Sequence, residues 1–319
     1  MKIWITGIAG VLGSALANMF VQKGEEVYGN DIIRPEEAWR LRDLGIFNEV
    51  KYNWKSTTDL TAQDFIGVDY IIDCGLAVPD RDFGINNPFY TVYGNILPSL
   101  HLLELLRKIG INRPKLIYPS SFNSLYGYGK MTYSDIMLSN PNSIYGWTKG
   151  SIENLVLTYH RAFNIPAIVT RVGSAYGPRM RSTELIGKLI IYALLNKKFT
   201  LYSPKSKRLW TYSEDVIKFY ETLIYKTDFY EYDGTILHCA GNKNNEIVSN
   251  IALANMIKTL VNPKLQIIES NYEPGELIDG QPIEFDIEYS AFNWQPEYEL
   301  SDGLKKTIYW FKNNLWRYI

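Results

Sequence analysis

The chain has 319 residues, with 33 Lys and Arg against 34 Asp and Glu, a formal charge of −1, and 46% hydrophobic and 21% charged residues. That length accommodates one large core with a smaller lobe, and the near-zero charge removes the electrostatic case for gripping a nucleic-acid backbone. Cys74 and Cys239 make no disulfide framework, no apolar run approaches a membrane span, and His101, His160 and His238 lack metal-ligand spacing, so no metal is expected.

The chain opens at Met1-Lys2 directly into a strand-like run, with no basic leader and apolar stretch, which sets a cytoplasmic expectation. Aromatic residues reach 14%; they read first as packing, with rings lining a sugar or base pocket as the alternative.

The first half alternates short apolar runs with helical patterns, the mark of βαβ units and a parallel sheet. Strands are predicted over Lys2–Thr6, Glu26–Asp31, Glu49–Trp54, Asp69–Cys74, Lys115–Ser120 and Ala167–Arg171. Helices are predicted over Gly10–Lys23, Asn86–Ile109, with Pro98 as a kink, and Ser143–Phe163. After Arg171 the pattern breaks into loops, helices and isolated strands, two of them at Thr235–Cys239 and Lys264–Ile268. The division expected is a nucleotide-binding domain over 1–172 and a substrate-binding lobe over 173–319, with some segments returning to the core.

The first strand runs into Thr6-Gly7-Ile8-Ala9-Gly10-Val11-Leu12-Gly13. Three glycines between a strand and a helix permit a tight turn, a close backbone approach to a pyrophosphate, and close helix–strand packing. The helix N-terminus presents N–H groups to the diphosphate. This predicts an α/β protein of Rossmann type, a doubly wound parallel sheet with a smaller C-terminal lobe. Asp31 closes the next strand, where a carboxylate accepts hydrogen bonds from ribose hydroxyls and repels a 2′-phosphate, so NAD is the cofactor expected. Arg34 keeps NADP in view.

Tyr145-Gly-Trp-Thr-Lys149 opens the helix after the fifth strand, and the i, i+4 spacing puts both side chains on one face. A tyrosine titrates near pH 10 in water, so acid–base work near neutrality needs a neighbouring cation, which Lys149 supplies.

With these residues in order, the chain resembles the extended short-chain dehydrogenase/reductase family, in particular its nucleotide-sugar epimerases and dehydratases. The likeness includes Thr6–Gly13, Asp31, Val68-Asp69-Tyr-Ile-Ile, Asn95, Tyr118-Pro-Ser-Ser, Leu125-Tyr126-Gly127 and Tyr145/Lys149. It continues through Arg171, Tyr176-Gly177-Pro178, Arg208-Leu-Trp-Thr-Tyr-Ser-Glu-Asp215, Trp294-Gln-Pro296, Gly303-Leu304 and Trp310. The resemblance implies a tightly held NAD that accepts a hydride from a sugar carbon, often C4, and returns it. It implies cofactor contacts from Gly7, Gly10, Val11, Leu12, Gly13, Asp31, Ile32, Cys74, Gly75, Leu76, Asn95, Tyr145 and Lys149. Asn53-Trp54 is preferred at the adenine position over Asp59-Leu60, which lies farther along. It also implies a homodimer paired through the helices Asn86–Ile109 and Ser143–Phe163.

Departures from the family pattern bear on the reaction. A Ser or Thr usually lies four residues before the Tyr of the Tyr-Gly pair; here that position is Phe122, and Ser121 is assigned instead, with Ser120 and Ser124 as alternatives. Dehydratases and decarboxylases commonly carry an acid in this loop. Phe122, Asn123, Ser124 and Leu125 do not ionise, which favours epimerisation or simple oxidation–reduction. Substrate contacts are expected from Ser121, Asn123, Ser174 (an asparagine in many relatives) and Arg208 facing a diphosphate. A second arginine common in relatives is replaced within Tyr272-Glu273-Pro274-Gly275. A net NAD(P)-dependent reductase or dehydrogenase and a non-catalytic nucleotide sensor are the competing functions.

Overall fold

The computed structural model describes residues 1–77, 86–122, 131–132, 141, 143–270, 283–284 and 294–319. Its elements run β1 (Lys2–Thr6), α1 (Val11–Gln22), β2 (Glu26–Asp31), α2 (Trp39–Asp43), β3 (Lys51–Trp54), β4 (Tyr70–Asp73), α3 (Pro88–Ile109) and β5 (Lys115–Ser121). Then come β6 (Met131–Thr132), α4 (Ile144–Phe163), β7 (Ala167–Val172), β8 (Ser174–Tyr176), α5 (Leu185–Leu194), β9 (Phe199–Tyr202), β10 (Lys207–Tyr212) and α6 (Ser213–Tyr225). The chain closes with β11 (Ile236–Cys239), β12 (Ile247–Ser249), α7 (Asn250–Val261), β13 (Ile267–Ser270), β14 (Ile283–Glu284) and α8 (Leu300–Asn314). The chain divides into two compact units: Met1–Ser120 with Ile144–Arg171 and Tyr220–Leu237, and Ser121–Ser143 with Val172–Phe219 and His238–Ile319.

The first unit is built on a seven-stranded sheet in the order β11-β7-β5-β4-β1-β2-β3. Pairing is parallel from β3 through β2, β1 and β4 to β5. Side chains alternate across a strand, and both faces are buried. Trp4, Ile71, Leu116, Tyr118 and Val169 join one cluster with Leu102, Leu106, Ile152 and Val156 of α3 and α4. Their sequence neighbours Ile3, Ile5, Ile72, Ile117 and Ile168 have no exposure and therefore fill the opposite face. Helices on both faces are what a parallel sheet requires. The strand order reverses between β1 and β4, so their carboxyl ends open the crevice where such sheets bind ligands.

Helix α3 begins at Pro88 rather than Asn86, because proline's missing N–H and fixed φ suit the first helical position. It continues through Pro98, four residues after Gly94. The strand expected over Lys264–Ile268 begins instead at Ile267. Asn262 turns the chain first: its side-chain oxygen accepts the Lys264 N–H at 3.0 Å and its carbonyl the Leu265 N–H at 3.0 Å.

In the second unit β12-β10-β8 form a three-stranded sheet, and β13 and β9 pair parallel. Its core gathers Tyr176, Leu189, Trp210, Leu253, Ile257, Leu304 and Phe311. Gly303 lets α8 lie against Tyr176: a Cβ there would sit 2.1 Å from the phenol oxygen, which donates to Leu300 O at 3.0 Å. Asp215 accepts the N–H groups of Glu297 and Tyr298, and its carbonyl accepts the Trp294 indole N–H. These residues carried the family likeness, and their work here is packing and turn satisfaction.

Candidate active site

The loop between β1 and α1 is shaped by two glycines and left open at a third. Gly7 has φ +61°, and a Cβ there would lie 2.7 Å from both Cys74 O and Gly75 Cα. A Cβ on Gly13 would lie 2.2 Å from Gly7 O. Both are dictated by the fold. Gly10 is different, since a Cβ there meets only Gly7 O, at 3.0 Å. Its bareness therefore suits a ligand's close approach, and with no side-chain cap on α1 the first-turn amides are left to an anion. A dinucleotide's diphosphate fits this loop.

Asp31 welds the same loop to β2. Its carboxylate accepts the Ala9 N–H at 2.9 Å and the Ile33 N–H at 3.0 Å. Burial pushes its pKa up, opposed by those two backbone donors. Ile32 is exposed beside it, and exposed Trp54 donates its indole N–H to Ile32 O at 3.1 Å. The Arg34 guanidinium lies 5.7 Å from the Trp54 ring centre. Asn53 spends its amide on Gly29 O and Lys51 O. We expect Asp31→Asn, which keeps an oxygen for Ala9 but removes the charge, to narrow the preference for NAD over NADP by about tenfold or more, the difference between a charged and a neutral hydrogen bond. Titrating both cofactors into parent and variant decides it: equal affinities in the parent would remove Asp31 as selector.

At the end of β4, the Gly75 N–H donates to Thr6 Oγ1 at 2.8 Å, and Cys74, Gly75 and Leu76 are half-buried. Burial pushes the Cys74 thiol up, so it is a poor nucleophile. Asn95 on α3 is fully buried and donates to Thr148 Oγ1 at 3.0 Å, while its own Oδ1 has no partner among the described residues.

Tyr145 and Lys149 lie on α4 as their spacing requires. The Lys149 ammonium is 5.9 Å from the Tyr145 ring centre and 5.1 Å from that of Tyr118. Lys149 is buried and donates to Pro119 O at 2.7 Å, which pins it beneath the end of β5. Burial lowers its pKa to about 8, against the pull of Cys74, Asp73 and Glu153. Tyr145 is half-buried. Ser120 is buried, and its hydroxyl has no partner among the described residues; Ser121, the last residue of β5, is half-buried. Asn123, Ser124 and the Tyr126-Gly127 pair lie outside the described residues, as does Tyr272–Gly275.

Within the second unit, Ser174 and Arg208 lie on neighbouring strands. Strand β8 pairs parallel with β10 so that Ser174 sits opposite Trp210, two residues beyond Arg208 on the same strand face. The Arg208 guanidinium is 5.8 Å from the Trp210 ring centre.

The model of the NAD dependent epimerase/dehydratase family matches residues 3–232. The chain belongs to that family. It is an NAD-dependent enzyme of the extended short-chain dehydrogenase/reductase type, and NAD is its cofactor. It is 25% identical to a UDP-glucuronate 4-epimerase of Thermodesulfobacterium geofontis (strain OPF15) over 98% of this chain and 96% of that protein. It is 26% identical to Protein CapI of Staphylococcus aureus over 98% of both. Among solved structures it resembles UDP-glucuronic acid 4-epimerase from Bacillus cereus, in complex with UDP-glucuronic acid and NAD, with a TM-score of 0.87 and 25% identity over 98% of this chain and 100% of that one.

This family member carries two features near Lys149 that motif reading passed over. Asp73 ends a run that reads only as buried strand, yet it puts a carboxylate in the core. Glu153 lies one helical turn past Lys149 and forms a buried ion pair with Arg171, whose Nη2 is 2.8 Å from Glu153 Oε2. An acid four residues after the lysine was the available signal. Among the described residues no group of three or more His, Cys, Asp or Glu side chains is arranged to hold a metal, and no helix is long and apolar enough to cross a membrane.

Proposed function

We propose that this enzyme is a nucleotide-sugar epimerase acting at carbon 4, with UDP-glucuronate the first substrate to test. The observation that carries this reading is the buried Lys149 beside half-buried Tyr145, combined with a loop, Phe122 to Leu125, that holds no ionisable group. Inversion needs one proton carrier and a hydride that leaves and returns. Dehydration needs a further acid, which this loop lacks.

When bound, NAD supplies the acceptor and donor of that hydride. Tyr145 takes up the proton of the reacting hydroxyl at its phenol oxygen and returns it when the carbonyl is reduced on the other face, so no net proton is gained or lost. Lys149 provides the positive charge beside it. Gly10 and the first turn of α1 seat the diphosphate of the cofactor, and Arg208 is assigned to the substrate's diphosphate and Ser174 to its sugar. UDP-glucuronate incubated with the purified enzyme should give its C4 epimer with no net change in NADH absorbance. Stoichiometric NADH formation would support a net dehydrogenase instead.

Ser121 is the third member of this set, the hydrogen-bond donor to the reacting oxygen. Ser121→Ala should slow turnover on the order of 10²-fold, the typical loss of one positioned donor. Ser120→Ala should do less; the reverse ranking would move the role to Ser120, whose buried hydroxyl lacks a partner among the described residues.

The homodimer belongs to the same reading. Phe89, Tyr93 and Leu97 recur every four residues on α3 and are 73%, 57% and 47% exposed, and Trp147 on α4 is 49% exposed. The two helices pack on each other, and we assign these exposed side chains to the surface that a second copy would cover. Phe89→Glu with Tyr93→Glu should bring the light-scattering mass from twice 36.8 kDa to the single-chain value. Unpaired Cys74 and Cys239 suit the reducing cytoplasm in which we place the enzyme.

A further inference from the structure

A lysine ammonium inside a protein needs a compensating charge, and the partners of the groups around Lys149 identify it. From its own helix the facing groups are Tyr145 and Glu153; from β5, Tyr118; from β4, Asp73 and Cys74. Tyr118 and Cys74 are both pushed up by burial and stay neutral. Glu153 is already committed. Arg171 of β7 donates to it from Nε at 3.0 and 3.2 Å and from Nη2 at 2.8 Å, a fork that neutralises the carboxylate. The carboxylate left for Lys149 is Asp73: Ser99 of α3 holds it on the side of the sheet where α4 packs, at the end of β4, which pairs with β5, the strand of the Tyr118 ring that the Lys149 ammonium faces.

Asp73 is held in the form this role requires. It is 2% exposed, with Thr6 Oγ1 donating to Oδ1 at 2.6 Å and Ser99 Oγ donating to Oδ2 at 2.9 Å. The Thr6 oxygen already accepts the Gly75 N–H, so its own proton is directed to Asp73. Burial pushes the Asp73 carboxyl pKa up, and the two hydroxyl donors, together with the Lys149 charge, favour the ionised form against it. Neither hydroxyl carries charge, so the negative charge remains available to a cation.

We propose that Asp73 is the buried counter-charge of Lys149, a positioning residue that keeps the ammonium charged within the core and ties it through Thr6 to the glycine-rich turn. The consequence is specific to this site. Thr6 immediately precedes Gly7, and Ser99 belongs to α3, so one carboxylate joins the cofactor turn, α3 and the cation of α4. Asp73 acts on the reaction through Lys149, and its value to the enzyme rests on the role assigned to that lysine above.

The test reads the lysine directly in the cofactor-free protein, so it does not depend on any substrate. Protein carrying 13C at lysine Cε is titrated by NMR, with the Lys149 signal assigned by its loss in Lys149→Met. The parent signal should titrate near pH 8. In Asp73→Asn the midpoint should fall by about one pH unit or more, as expected for losing a nearby opposite charge. Ser99→Ala provides a second arm that keeps the carboxylate. Removing a donor to the ionised form raises the carboxyl pKa, so the acid inflection that Asp73 imposes on the Lys149 signal should move to higher pH. An unmoved Lys149 midpoint in Asp73→Asn, or no shifted acid inflection in Ser99→Ala should the first variant fail to fold, overturns the proposal. Epimerisation found absent while these shifts appear would fault the functional reading and leave the charge pair standing.

Discussion

Tyr145→Phe should reduce hydride transfer by about 10²- to 10⁴-fold, the span of a positioned acid–base group, while NAD affinity and thermal stability stay at the parent values. The substitution removes one oxygen and keeps the ring, so it separates chemistry from packing. Tyr145 is half-buried at the first turn of α4. The Lys149 ammonium, 5.9 Å from the ring centre, favours the phenolate by charge proximity. Lys149 itself loses its proton as pH rises through about 8. Parent turnover should therefore fall on the alkaline side of that value, where the cation is lost. Single-turnover absorbance with UDP-glucuronate measures the transfer, and bound NAD is quantified in the same samples. A near-parent rate in Tyr145→Phe would reduce this tyrosine to an aromatic packed on a helix face and leave only a nucleotide-binding fold.

The parts legible in the sequence were those governed by local rules. Strands β1, β2 and β5 and helices α1, α3 and α4 follow from apolar periodicity, with ends differing by a few residues where caps and turns decide. Gly7 and Gly13 are read correctly because a tight turn and a close helix are local requirements. The neighbours that the three-dimensional fold assembles were less legible. Asp73 looked like part of a buried strand, since nothing nearby in sequence announces that Thr6 and Ser99, 67 and 26 residues away, converge on it. Ser174 and Arg208 are far apart in sequence; that they lie on neighbouring strands comes from the β8–β10 pairing, which periodicity does not encode. The start of β13 was misplaced because Asn262 turns the chain through Lys264 and Leu265, and a side-chain turn of that kind outweighs a short apolar run.

The Glu153–Arg171 pair should dominate the stability of the unit that carries Tyr145 and Lys149. Both side chains are 4% exposed. Arg171→Met leaves Glu153 as a buried charge without its forked donor, and removing one partner of such a pair costs about 3–5 kcal/mol. Replacing both, as Glu153→Leu with Arg171→Met, removes the desolvation penalty together with the attraction, so the double variant should recover most of that loss. Urea denaturation followed by the fluorescence of Trp4, within that unit, reads the difference as a shifted midpoint once the other tryptophans are replaced. A single variant costing under about 1 kcal/mol would mean that the pair behaves like a solvated surface contact. Stability and turnover should then part company. Glu153 lies one turn beyond Lys149, and its geometry fixes the roll of α4 against β7, which an apolar pair of similar volume does not specify. The double variant should therefore unfold near the parent midpoint yet turn over more slowly, with its substrate KM less affected than kcat. Turnover restored along with stability would show that the pair serves the fold alone, and that α4 holds Tyr145 and Lys149 in place by its apolar face.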